Sequence, residues 1–378
     1  MADFILPDSK TQIMNFFTSN NKKVIMTHND LDGVACKIIA SLYADVGSPY
    51  GVDAICPDKW ETTLFSGPKA LDDYFINNGL RKTKDNPFIM DTCDILITDL
   101  CVSPKVAKWI DVLNNTPGAS RVYIIDHHVS NSAIAKYPWA YIDVHERFSA
   151  TKILYGILKT QKLSYLGARY VSGEDKTLDI FVNAVSAYDL GKYDSEPESD
   201  LGIILNRAFM KMGWLSFSES MIAGLSKNGN GNINFLYTSS SSVEYQLPYD
   251  VLNAARKKQK EDELWYDSLE NGYFMMDNMQ SLTQGYRTAL TFLSIYGHGY
   301  NCFKFLKRHP EIDILMAVNL KTNTCSMRTE KDHINLSAIA SKFGGGGHKL
   351  AAAFKMNISG ITVTMDTENG EEKIVGTR

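Results

Sequence analysis

Asp126, His127 and His128 stand together directly after Val122-Tyr123-Ile124-Ile125, four residues of high strand propensity. A short continuous apolar run of this kind reads as a strand buried on both faces of a parallel sheet. Ligands of such sheets bind at the carboxyl ends of the strands. The run therefore delivers one carboxylate and two imidazoles to an edge where sites are built. Three further places repeat the pattern. His28, Asp30 and Asp32 follow the apolar segment Lys22–Thr27, Asp99 lies near the end of Asp94–Leu100, and Asp189 follows the helical pattern of Leu178–Ala187.

Carboxylates mixed with imidazoles suit hard or borderline divalent cations. Mn²⁺ is the natural choice, with Mg²⁺ or Co²⁺ as alternatives. Carboxylates this dense repel one another unless cations neutralise them. Two such ions about 3.5–4 Å apart can activate a hydroxide and clamp both oxygens of an in-line phosphoryl displacement. One terminal Asp alone is an ordinary helix cap or loop residue, and one His alone is ordinarily structural. His145, His298, His309 and His333 are read that way. The signal is the recurrence of apolar strand plus terminal acid, once with two histidines attached.

The elements that must hold these groups follow from pattern. Asp8–Ser19 reads as a helix, Lys22–Thr27 as a first strand, and Val34–Tyr43 as a helix of small and apolar residues. Alternate residues of an extended segment face one way, so His28, Asp30 and Asp32 are expected to line one cavity. Gly33 is expected to permit a tight turn into the helix. Gly51–Cys56, Asp94–Leu100, Val122–Ile125 and Ala140–Asp143 read as further strands. Ser103-Pro104 opens a helix as cap and first residue, and Ser149 caps the helix Lys152–Lys159. Strands alternating with helices predict an α/β fold, a doubly wound, mainly parallel sheet.

Composition changes after residue 225. Lys227–Asn234 is rich in Asn and Gly and Ser239–Ser242 is four serines, both loop signals. Tyr249–Tyr266 is periodic with a charged middle in which Glu261, Asp262 and Glu263 balance the lysines. It is expected to be a solvated linking helix. Beyond it, Tyr273–Met276, Thr288–Ser294, Ile312–Asn319 and Thr324–Arg328 read as strands. Tyr300–Arg308 and Leu336–Lys342 read as helices, and Ile361–Met365 with Glu372–Val375 read as a hairpin around Asn369-Gly370. The expected organisation is a metal-binding domain over 1–225, a loop and linker helix over 226–271, and a smaller α/β domain over 272–378.

With 378 residues, 44% hydrophobic and 22% charged, the chain has the composition of a globular protein of about two domains. A net charge of −4 argues against a protein that lives on long duplex nucleic acid through a basic face. Six scattered cysteines form no C-x-x-C pair. The first ten residues do not read as a signal peptide, and no run has the length of a membrane span. These features lead to the expectation of a reducing, cytoplasmic setting without membrane partners.

Taken in order, Asp30-Leu31-Asp32-Gly33, the strand-end Asp99, Asp126-His127-His128 and the helix-end Asp189 resemble the four motifs of the DHH phosphoesterase superfamily. Phe343-Gly344-Gly345-Gly346-Gly347-His348, followed by Ala351-Ala352-Ala353, resembles the glycine-rich signature of the DHH-associated C-terminal domain. The two resemblances span most of the chain, and His28-Asn29-Asp30-Leu31-Asp32-Gly33 is most similar to the nanoRNase branch. The resemblance implies that Asp30, Asp32, Asp99, His127 and Asp189 hold two divalent metals, with Asp99 between them. His28 joins them as a candidate ligand. Several relatives place that His four residues before the first Asp, where this chain has Met26. His128 is implied to face the scissile phosphate, and Asp126 to orient its neighbours. Arg328 and the loop Gly345, Gly346, Gly347 and His348 are implied to bind substrate. A glycine-rich loop opening into a helix can cradle phosphate. Tyr296, Tyr300 and Phe303 are candidates for base stacking, although aromatics at helical spacing ordinarily fill a core.

The implied activity is two-metal hydrolysis of short single-stranded RNA, down to dinucleotides, to 5′ mononucleotides. The same constellation also serves cyclic or linear dinucleotide signalling phosphodiesterases, phosphatases of 3′-phosphoadenosine 5′-phosphate and RecJ-type single-strand exonucleases. From another class, relatives that have lost their metals act as scaffolds. The presence of nearly every ligand type argues against that here. Homodimerisation is left open.

Overall fold

The computed structural model describes residues 7–43, 52–55, 67–78, 80, 93–145, 147–160, 176–226, 233–239, 242–276, 285–295, 298–356, 361–365 and 372–376. The chain divides into two compact units, Met1–Lys260 and Glu261–Arg378.

The first unit begins with α1 (Pro7–Thr18), β1 (Lys22–Thr27), α2 (Leu31–Tyr43), β2 (Val52–Ile55), α3 (Pro68–Asn77), β3 (Cys93–Thr98), α4 (Pro104–Asn114) and β4 (Arg121–Asp126). A 3₁₀ turn at Val129–Ile134 leads to β5 (Ala140–Ile142). Four helices follow: α5 (Ala150–Thr160), α6 (Lys176–Asp189), α7 (Ser199–Met212) and α8 (Trp214–Leu225). Then come β6 (Asn234–Ser239) and β7 (Ser242–Gln246). The sheet order is β2-β1-β3-β4-β5 and every pair in it is parallel. Chain direction across the sheet reverses between β1 and β3. Right-handed crossovers running opposite ways place their helices on opposite faces, so the sheet is doubly wound, as predicted. Helix α2 packs with α5, α6, α7 and α8, while α3 packs with α4. β3 and all but the first residue of β4 are buried, which is why they read as unbroken apolar runs.

Register, more than strand identity, sets where the acids emerge. Thr27 of β1 is level with Thr98 of β3, and Thr98 is level with Ile125 of β4. The residues just past these three strands therefore leave the sheet at one height. Ser103 caps α4 by accepting from Val106 N–H at 3.3 Å, ahead of Pro104, as its sequence predicts.

One expectation fails in this unit. The serine cluster at 239–242 is not a plain loop: Ser239 and Ser242 pair across the antiparallel β6–β7 hairpin. Its flanking strand patterns were masked by the Asn/Gly stretch before them. Helices α7 and α8 were also not read from sequence.

Helix α9 (Tyr249–Glu270) contains the division between the units. Its charged middle is not wholly solvated. Asp262 is buried, with an oxygen 3.4 Å from His298 Nδ1.

The second unit adds β8 (Phe274–Met276), β9 (Thr288–Thr291), α10 (Gly299–Arg308), β10 (Ile314–Asn319), β11 (Thr324–Arg328), α11 (Leu336–Ser341), β12 (Gly346–Gly347) and β13 (Ala351–Lys355). Its sheet order is β12-β13-β11-β10-β9-β8, mixed because only β9–β10 is parallel. Alternate residues of β10 enter two cores. Ile314, Met316 and Val318 pack in one with Leu336 and Ile339 of α11, and Leu315 and Ala317 pack in the other with Phe305 and Leu306 of α10. Strands β14 (Ile361–Met365) and β15 (Glu372–Gly376) pair antiparallel as predicted. The expected turn at Asn369-Gly370 lies outside the described residues, as do Gly51, Cys56 and Tyr296. No described helix is long and apolar enough to cross a membrane.

Candidate metal centre

At the carboxyl edge of the parallel sheet the predicted acids and imidazoles converge. Among the described residues, His28, Asp30 and Asp99 form one group whose potential ligand atoms all lie within 4.8 Å of one another, and Asp32, His127 and Asp189 form a second. Asp99 faces both. Its Oδ1 is 3.3 Å from His127 Nε2, and its Oδ2 is 3.8 Å from His28 Nδ1. His127 Nε2 also lies 3.4 Å from Asp189 Oδ2 and 3.9 Å from Asp32 Oδ2.

Each group is held by a different device. Asp30 accepts from Gly33 N–H at 2.9 Å and its carbonyl accepts from Val34 N–H, so it caps α2. His28 Nδ1 is hydrogen-bonded to the Asp30 carboxylate. Asp32 sits in the first turn of α2, and its carboxylate takes two backbone donors from the start of α5, Ala150 N–H at 2.8 Å and Thr151 N–H at 3.0 Å. Four exposed donors and a positive dipole end make a helix N-terminus a good seat for a carboxylate. The expected strand alternation does not reach these residues, because β1 ends at Thr27; the start of α2 explains both acids, Asp30 as its cap and Asp32 in its first turn.

Gly33 serves a purpose other than the one its sequence suggested. Its φ is not in the left-handed region. A Cβ there would stand 2.1 Å from the His28 carbonyl oxygen and 2.7 Å from Thr27 Oγ1, so close approach of α2 to the end of β1 is what excludes a side chain.

Asp99 does lie in the left-handed region, at φ 57°, a conformation few non-glycine residues adopt. Its N–H donates to Ile125 O at 3.0 Å, so the strained residue is tied to β4. Its side chain is 3% exposed, and Oδ2 is buried without a hydrogen-bond partner. Burial, and then the neighbouring Asp30 and Asp32 carboxylates, hold the Asp99 carboxyl well above its usual range. Burial would raise Asp30 as well, but the charge and hydrogen bond of His28 outweigh it and hold that carboxyl low.

Asp126 is completely buried and both oxygens are engaged. Oδ1 is 2.7 Å from His128 Nδ1, and Oδ2 accepts from Asn131 Nδ2 at 2.5 Å. Burial would raise this carboxyl, but His128 by charge and hydrogen bond lowers it overall. His127 is completely buried and His128 partly exposed. Asn131, the N–H groups that open α5, and the raised Asp99 are the parts of the centre that sequence reading missed. Asn131 sits in Val-Ser-Asn-Ser, which reads as an ordinary turn.

In the second unit, Arg328 ends β11 and donates from Nη1 to its own chain at Met327 O, 2.8 Å. The glycine run does not open into a helix. It follows α11 and becomes edge strand β12, with Gly346 level with Ala353 and Gly347 with Ala352. A Cβ on Gly345 would stand 2.2 Å from Ala353 O, and one on Gly347 2.6 Å from Ala351 O. These two glycines therefore admit β13. His348 closes the hairpin, its N–H donating to Ala351 O at 2.7 Å. Tyr300 and Phe303 stack on each other at 6.4 Å on α10.

The donor set fits divalent cations. Four aspartates and two histidines with ligand atoms this close, with one carboxyl raised by burial and then by its acidic neighbours and its Oδ2 buried without a hydrogen-bond partner, form a cluster that a cation would stabilise.

No protein-family model matches the chain. It is 23% identical over 332 residues to an oligoribonuclease, NrnB, of Bacillus subtilis (strain 168), covering 87% of this chain and 71% of that protein. Among solved structures, a DHH domain from a member of a ribosomal-protein family matches 94% of this chain and 88% of its own, at 13% identity and a TM-score of 0.54. RecJ from Thermus thermophilus in complex with Mn²⁺ matches 93% of this chain and 53% of its own, at 12% identity and a TM-score of 0.49. The likeness to the DHH domain bears out the α/β fold that the resemblance implied, and the likeness to NrnB agrees with its nanoRNase side.

Proposed function

We propose that this chain is a divalent-metal-dependent phosphodiesterase that hydrolyses short oligoribonucleotides, down to dinucleotides, to 5′ mononucleotides. The observation that carries the reading is Asp99, whose two oxygens face two separate ligand groups. Likeness to a protein named as an oligoribonuclease supports the substrate class.

In this reading His28, Asp30 and Asp99 would hold one cation, and Asp32, His127 and Asp189, with Asp99 beside them, would hold the other. Mn²⁺ is the expected ion, given the mixture of carboxylate and imidazole donors. Bound there, divalent cations would supply charge neutralisation for a phosphate and lower the pKa of a water. The protein's own groups do the rest. The N-terminus of α5 keeps the Asp32 carboxylate aimed. The left-handed turn at Asp99 brings its carboxylate between the two groups. His128, steered by Asp126 and partly exposed, turns its ring toward the phosphate. In the second unit Arg328 and His348 bind a phosphate of the substrate, and the hairpin glycines Gly345, Gly346 and Gly347 shape that site.

Product analysis with Mn²⁺ tests the reading. A labelled dinucleotide, a pentanucleotide and a strand of about two dozen nucleotides would be incubated alongside linear and cyclic dinucleotides, with His127→Ala as the control. Rapid conversion of the two shortest RNAs to 5′ mononucleotides, lost in the control, is the expected result. Turnover of a cyclic dinucleotide alone would replace the substrate assignment. No hydrolysis with Mn²⁺, Mg²⁺ or Co²⁺ would overturn the enzyme reading.

A further inference from the structure

Asn131 lies outside every group assigned above, yet its side chain joins the two loops that build the centre. It is 1% exposed. Its Oδ1 accepts from Val102 N–H at 3.0 Å, and its Nδ2 donates to Leu100 O at 3.1 Å and to Asp126 Oδ2 at 2.5 Å. One donor and two acceptors allow a single orientation of the amide. Flipped, its oxygen would face a carbonyl and a carboxylate.

The arrangement continues through Asp126. With Oδ2 on Asn131, Oδ1 lies 2.7 Å from His128 Nδ1. A carboxylate only accepts, so the proton of that bond resides on Nδ1. Deprived of Asn131, the buried carboxylate would lose the side-chain donor to Oδ2. Turning to regain a donor would move the oxygen that holds His128.

We propose that Asn131 is a positioning residue: by holding Asp126 through Oδ2 it fixes the other oxygen on His128 Nδ1, and so sets the proton placement and ring direction with which His128 meets the substrate phosphate. The catalytic consequence rests on the phosphodiesterase reading, whereas the orientation of His128 does not.

Asn131→Asp is the discriminating variant. It keeps an acceptor for Val102 N–H and removes the donor to Asp126. Asn131→Ser, smaller and uncharged, serves as a second variant should the first fail to fold. Imidazole ¹⁵N spectra in mildly alkaline buffer, with the His128 signal identified by its loss in His128→Gln, read the orientation directly. The wild type is expected to show His128 Nδ1 as a protonated nitrogen, and the variant a signal averaged between the two tautomers. In kinetics with Mn²⁺, Asn131→Asp is expected to lower kcat about 10- to 100-fold with KM and Mn²⁺ affinity, the latter by calorimetry, changed less than about threefold. On a His128→Gln background it is expected to cost less than about threefold more. An unchanged His128 signal in a folded variant overturns the proposal. So do losses that multiply with His128→Gln, or Mn²⁺ affinity that falls in step with kcat. If the wild type hydrolyses no RNA, the phosphodiesterase reading fails while the spectra still decide the orientation.

Discussion

The two halves of the centre are built in opposite ways. His28 and Asp30 are partly exposed and are held mainly by each other and by Gly33, all within six residues of chain. Asp32 and His127 are buried, and Asp32 is held by the N-terminus of α5, more than a hundred residues away in sequence. In the local half Asp30 caps α2, a task that Asn performs as well. The buried half is part of the fold, because α5 loses a cap if Asp32 loses its charge. Asp99 belongs to both, and its carboxyl is raised first by burial and then by Asp30 of one half and Asp32 of the other.

Replacing the shared residue gives the largest expected effect. Asp99→Asn should lower hydrolysis by about a thousandfold or more, the scale expected when a group acting only in the transition state is lost. The same change removes a crowded buried carboxyl, while Asn tolerates the left-handed φ. The metal-free protein is therefore expected to gain about 2 °C or more in Tm, measured in chelator. A loss of Tm would break the claim that Asp99 is strained by its neighbours.

The halves themselves are separated by Asp32→Asn and Asp30→Asn. Both should cut activity severely. Only Asp32→Asn should also destabilise the metal-free fold, by about 1–3 kcal/mol in denaturant titrations, because the charged acceptor of two backbone donors is weakened. Equal stability losses would erase the distinction between the halves.

Metal removal sharpens the comparison. Saturating Mn²⁺, at about a hundred times its dissociation constant, should stabilise the wild type by about 2.7 kcal/mol per site over the chelated protein. Thermal melts should show most of that gain absent from Asp99→Asn. Ion binding that is as strong without Asp99 would separate the halves into independent sites.

Glycines give the smallest and most local contrast. Gly33→Ala places a Cβ on the His28 carbonyl, and is expected to cost about 2 kcal/mol or more and to displace His28 and Asp30. Gly345→Ala meets Ala353 O and should destabilise the second unit similarly. Gly346→Ala meets nothing within 4 Å and should stay within about 0.5 kcal/mol, as read by denaturant unfolding.

Local pattern carried a great deal of this protein. Strands ending in acids, Ser103-Pro104 opening α4 and the two-domain α/β plan were legible, because burial on both faces writes unbroken apolar runs and caps use few residue types. Asp30, Asp99, Asp126, His127, His128 and Asp189 were also legible, since each lies where a regular element stops. The glycine run was recognised but its shape was not: four glycines fit a phosphate loop and an edge strand equally well, and only pairing with β13 chose the strand. Asp262 looked solvated because its helix is charged on either side, and His298, which contacts it, lies 36 positions further along.

Sequence by itself determined which residues end the strands, and therefore which side chains reach the carboxyl edge. Tertiary structure decided which of them face one another. Register brought the ends of β1, β3 and β4 to one height, α5 arrived from a distant part of the chain to hold Asp32, and Asn131 fastened the β3 loop to Asp126. Those pairings depend on contacts between residues far apart in the chain, and residue type at either end carries no record of its partner.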